Sequence, residues 1–64
     1  MIVIEFFIEG GLLMTAEVEL GSPIPRVGET VELTDNSLYD VVGVAYRYTT
    51  SDSAPSVIVR LDHF

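Results

Sequence analysis

Sixty-four residues give room for one domain, residues 1–64, and one core; ordering such a chain costs about 1.5 kcal/mol per residue, which burial must offset. The chain has no cysteine, a single histidine and no lysine, which excludes disulfides, thiolate metal sites and a histidine-rich zinc site. Ten acidic residues against three arginines leave a net charge of −7, which argues against direct nucleic-acid binding and against an anionic membrane surface, both of which rest on Lys and Arg.

Period-two alternation runs through the chain. Ile2, Ile4, Phe6 and Ile8 alternate with Val3, Glu5, Phe7 and Glu9, a strand with one strongly apolar face. Gly10 and Gly11 offer the positive φ angles of a tight turn. Leu12, Met14, Ala16, Val18 and Leu20 alternate with Leu13, Thr15, Glu17 and Glu19 as the returning strand. Residues 21–28 hold two prolines, Pro23 and Pro25, and read as an extended, unpaired loop. A third strand is predicted over 29–34, with Val31 and Leu33 on one face, and Asp35, Asn36 and Ser37 form a turn.

The fourth strand is long, about 38–49. Tyr39 and Val41 share a face, then Val44, Tyr46 and Tyr48 do, so a bulge at Gly43 is needed to reconcile the two halves. A helix over 38–47 is disfavoured by Val41, Val42, Val44 and the central Gly43. Residues 49–55 form a polar loop, and Val57, Val59 and Leu61 face inward on a fifth strand, alternating with Ile58, Arg60 and Asp62. The pattern predicts an all-β fold: five short antiparallel strands in a small, partly open barrel with an N-terminal β-hairpin.

The stretch Pro25-Arg26-Val27-Gly28-Glu29-Thr30-Val31-Glu32-Leu33, followed by Tyr39-Asp40-Val41 and Val44-Ala45-Tyr46, resembles a pattern in small uncharacterised bacterial and phage proteins read as SH3-like β-barrels. The match covers about residues 23–61. It is a folding motif, so the resemblance implies an SH3-like barrel and transfers no catalytic residue. Phage relatives of this size imply a host-takeover or anti-defence factor.

No apolar stretch approaches the roughly 20 residues that span a bilayer. Residues 1–9 lack a basic segment and carry Glu5 and Glu9, unlike a signal peptide, so a cytoplasmic protein is expected. Catalytic chemistry is sparse. His63 is the sole imidazole, next to the C-terminal residue. Glu17 and Glu19 read as a solvated face, and Asp35, Asn36, Ser37 and Asp40 lack the spacing of a calcium loop. The expectation is a protein that is not an enzyme and carries no cofactor or metal.

Two features point to binding. A 48% hydrophobic chain with mean hydropathy +0.43 is greasy for its size, and Val3, Phe7 and Leu13 fall opposite the main apolar stripe, joined by Ile58 and Phe64. Such a patch marks an interface, here of a homo-oligomer. If residues 49–55 close a hairpin, Arg47 and Arg60 stand nearly opposite one another on the outward face, where like charges need a counter-charge between them. Either Glu17, Glu19, Glu32 or a neighbouring subunit's acid supplies it, or an anionic nucleotide does, clamped by Arg47 and Arg60 with Arg26 nearby and stacked on Tyr39, Tyr46 or Tyr48. The sequence thus favours a non-enzymatic oligomeric interaction protein, with a small-anion sequestering protein and an acidic nucleic-acid mimic as alternatives.

Overall fold

A computed structural model describes residues 2–19, 21–48 and 55–64. They form five strands, β1 (Ile2–Ile8), β2 (Gly11–Val18), β3 (Thr30–Glu32), β4 (Leu38–Arg47) and β5 (Ser56–His63), joined in one sheet in the order β2-β1-β5-β4-β3. No helix occurs among the described residues. The sheet curls into a partly open half-barrel, and the predicted all-β, five-stranded fold with its N-terminal hairpin is the fold observed. The polar loop predicted at 49–55 lies outside the described residues apart from Pro55, as does Leu20.

The β1–β2 hairpin turns one residue earlier than predicted. Glu9 (φ 53°) and Gly10 (φ 81°) both take positive φ, while Gly11 already pairs with Ile8 as the first residue of β2. Two successive positive φ angles match the twist of the flanking strands. A bulge between Phe6 and Phe7 then sets Phe6 against Met14 and Phe7 against Leu12. Leu13 is the extra residue, and the alternation of β2 changes phase there.

The long Pro-rich loop enters β3 through a second device. The Glu29 N–H donates to the Arg26 carbonyl at 3.0 Å, and Gly28 has φ 94°, the geometry of a type II turn with glycine at its third position. The Gly28 N–H donates to the Val41 carbonyl (3.0 Å) and the Val41 N–H to the Glu29 carbonyl (2.9 Å), so two residues oppose one in a glycine bulge. The Glu29 side chain completes the turn by accepting the Arg26 N–H at 2.7 Å.

One pairing differs from the sequence reading. β3-β4-β5 is an antiparallel meander, and β1-β2 is antiparallel, but β1 lies parallel to β5, from Val3 beside Ser56 to Ile8 beside Leu61. Alternation decides which face a residue occupies and reads the same in either chain direction, so it could not distinguish the two pairings. Central strands apolar on both sides are the ones that tolerate this arrangement, and β1 and β5 carry Val3, Phe7 and Ile58 behind their core residues.

The concave face holds the core: Ile4, Phe6, Tyr39, Val41, Val57, Val59 and Leu61 are buried, with Met14, Ala16, Val31, Leu33 and Val44 packed around them. The curl brings the two edges of the sheet together at one end, where the Thr34 hydroxyl lies 3.9 Å from the Met14 sulfur. The bulge predicted at Gly43 is present between Val41 and Gly43. It rotates the second half of β4 so that Val44 joins the core beside Val59.

Candidate docking face

The residues alternating with the core form the convex face of the half-barrel. Glu5 pairs with Ile58, and Ile58 with Ala45; Phe7 pairs with Arg60, and Arg60 with Gly43. Phe7, Val42, Ile58 and Leu61 line an open groove of about 480 Å³, with Arg60 and Glu9 also on it. Val42 is half exposed (50%). The bulge that buries Gly43 therefore also turns an adjacent valine outward onto this face.

Of the residues expected at an interface, Val3, Phe7 and Ile58 share the convex side through their register, and Phe64 is exposed just beyond β5. Leu13 does not join them. As the extra residue of the β2 bulge it lines a separate cleft with Met14, Leu33 and Thr34 at the closing end of the barrel, and Leu12, 56% exposed, takes the place opposite Phe7. Alternation puts Leu12 on the inward stripe with Met14, and the bulge between Phe6 and Phe7 turns it outward instead; Val42 was not assigned to this face. The only sign of them was a pair of adjacent apolar residues at each bulge, Leu12-Leu13 and Val41-Val42, which alternation alone cannot assign to faces.

The arginines are separated. Arg47 pairs with Ser56 in the ladder, while Arg60 pairs with Gly43, so they are not opposite one another; the bulge and the strand register set them four residues apart along β5. Arg47 finds its counter-charge in Glu5, with Nη1 3.7 Å from Oε2, rather than in Glu17, Glu19 or Glu32. Glu5 is a carboxylate set in the apolar strip between Val3 and Phe7, its side chain 22% exposed, and its Oε2 is buried with no hydrogen-bond partner among the described residues. Arg60 has no carboxylate within 4.0 Å among the described residues. Its guanidinium instead covers Gly43.

The tyrosines are not brought to these arginines. Tyr39 is a core residue paired with His63. Its hydroxyl donates to Asp35 Oδ2 at 3.0 Å, while Asp35 Oδ1 accepts the Ser37 N–H at 2.9 Å. The Ser37 N–H and the Tyr39 hydroxyl together hold the Asp35 carboxyl below its ordinary range, and the same carboxylate, with burial, pushes the Tyr39 phenol up. Tyr46 pairs with Val57 and so alternates with Arg47; Tyr48 is 82% exposed past the end of β4. Arg26 belongs to the loop before β3, beside a cleft lined by Pro23, Pro25 and Glu29.

His63 Nε2 lies 3.4 Å from Glu9 Oε1, with both side chains largely exposed. Among the described residues no group of three His, Asp or Glu side chains is placed to hold a metal ion, and no helix is long and apolar enough to cross a membrane. No protein-family model matches the chain, and neither does any curated protein or solved structure.

Proposed function

We propose that this chain is a non-enzymatic interaction protein that acts by binding and works as an oligomer, with the convex face as its contact surface. The observation that carries this reading is the open groove between Phe7 and Val42 over Ile58. Apolar side chains meet there with Arg60 and Glu9 at the rim, and exposed apolar patches rimmed by polar groups mark interaction sites. A phage-type inhibitor or accessory factor in the cytoplasm, as the sequence resemblance implies, would act in this way, by occupying a partner's surface rather than by chemistry.

The nucleotide-sequestering alternative has less support. Phosphate clamping calls for convergent guanidinium groups and stacking aromatics, whereas Arg47 is engaged with Glu5 and Tyr39 and Tyr46 alternate away from the arginines. The acidic-mimic alternative rests on the net charge of −7 alone. Sedimentation equilibrium on the intact chain tests the proposal. An oligomeric mass that falls to monomer in Val42→Glu, with the β-sheet circular dichroism retained, supports it; a native chain that sediments as a monomer overturns it.

A further inference from the structure

We propose that the occupant of the groove is a second copy of this chain, docked about a twofold axis so that Phe7 of each copy enters the other's groove and Arg60 of each faces Glu9 of the other. The inference rests on the oligomeric reading above and names its geometry.

A twofold contact requires one patch that is complementary to itself: whatever residue i meets on the partner must meet i in return. The convex face has that property in both shape and charge. Phe7 is a wall of the groove and, being only partly buried, also presents apolar surface to a partner. Arg60 and Glu9 flank the same apolar floor, one cation and one anion. Arg60 pairs with Phe7 across β1 and β5, and Glu9 opens the turn that follows β1. A twofold axis between the two exchanges them, setting each guanidinium opposite the partner's carboxylate while the phenyl rings meet beside it.

Among the described residues Arg60 has no carboxylate within 4.0 Å, and Glu9 has only His63, at 3.4 Å. Two chains of net charge −7 repel at long range, so a second copy docks only where local charges are complementary. The groove is where an arginine and a glutamate, Arg60 and Glu9, stand beside apolar side chains without an ion pair between them within 4.0 Å. A stable contact of ordinary size buries about 800 Å² per partner, a little under a fifth of the 4495 Å² surface. A contact of that size extends beyond the groove to the exposed Leu12 and the polar rim, because Val3, Phe7 and Ile58 are only partly exposed.

The test is a charge exchange followed by sedimentation equilibrium, with circular dichroism confirming the fold of each variant. Arg60→Glu and Glu9→Arg each put like charges across the axis and weaken dimerisation by about tenfold or more. The double variant, Arg60→Glu with Glu9→Arg, restores it to within about threefold of the native chain. Arg47→Ala, off the groove, leaves dimerisation unchanged. Single variants that dimerise like the native chain, a folded double variant that stays monomeric, or a native mass other than a dimer each overturn the twofold docking. If those results come with an oligomer that Val42→Glu dissociates, the interaction reading stands and only this geometry falls. A monomeric native chain overturns both.

Discussion

The guanidinium of Arg60 rests against the α-carbon of Gly43: a Cβ built on that glycine would stand 2.6 Å from Nη2, 2.7 Å from Nε and 3.0 Å from Cζ. The glycine sits in the β4 bulge, and its missing side chain is what lets the arginine lie along the convex face. The obstructing atoms belong to the tip of a flexible side chain, so Gly43→Ala moves Arg60 rather than the backbone. Strand propensity favours alanine over glycine, and the net change in unfolding free energy should stay within about 1 kcal/mol. Urea unfolding measures it; a loss of several kcal/mol would show that the bulge itself depends on the glycine.

Gly28 behaves in the opposite way. Nothing lies within 4 Å of a Cβ built there, but its φ of 94° is a conformation that side-chain-bearing residues rarely adopt. Gly28→Ala therefore costs about 1–3 kcal/mol through backbone strain, and more than Gly43→Ala under the same conditions. The order of the two midpoints in one urea series checks the contrast between open space with strained φ and crowded space with ordinary φ.

Glu5 and Arg47 form an ion pair at 3.7 Å across β5, with Arg47 55% exposed. Exposed pairs of this kind contribute about 0.2–1 kcal/mol, and a double-mutant cycle of Glu5→Gln and Arg47→Ala should return a coupling in that range. Glu5→Leu replaces a carboxylate whose Oε2 is buried without a hydrogen bond by an apolar group between Val3 and Phe7. The expected result is a chain at least as stable as the native one. A marked loss of stability in Glu5→Leu would mean the carboxylate has a stronger role than this ion pair.

Asp35 and Tyr39 make stability depend on pH at both ends of the scale. The folded state holds Asp35 below its ordinary value, so its contribution is fully present above the ordinary aspartate range and is lost as pH falls through the folded value. The Tyr39 phenol is raised; its contribution is present below about pH 10, the ordinary tyrosine value, and is lost as pH rises through the higher folded value. Asp35→Asn should therefore be less stable than the native chain at pH 7, with the gap narrowing at pH 3. Tyr39→Phe should flatten the alkaline limb. Urea midpoints across pH read both, and a gap for Asp35→Asn that is constant with pH would contradict the assignment.

The fold class was legible because alternation is a local property. Ile4, Phe6, Val57, Val59 and Leu61 are spaced by two and are buried together. The Gly43 bulge was legible as well, since Tyr39 and Val41 fall out of phase with Val44 and Tyr46. The candidate face was legible only in part. Phe7 and Ile58 stand out as apolar residues opposite the main stripe, but Leu12 and Leu13 are neighbours of one type, and only the bulge between Phe6 and Phe7 decides that Leu12 faces Phe7 while Leu13 turns to Met14 and Leu33.

By itself, then, the sequence determined the buried stripes of β1 and β5, where the chain turns to within a residue, and that no thiol or histidine cluster is available. Those follow from side-chain chemistry and from a period of two. Tertiary structure alone decided that β1 runs parallel to β5, that Glu5 rather than another of the ten acids answers Arg47, and that Arg60 is left beside an apolar groove. Each of these depends on which strands become neighbours and in what register. Alternation leaves both open, because it reads identically in either direction and along every possible partner strand.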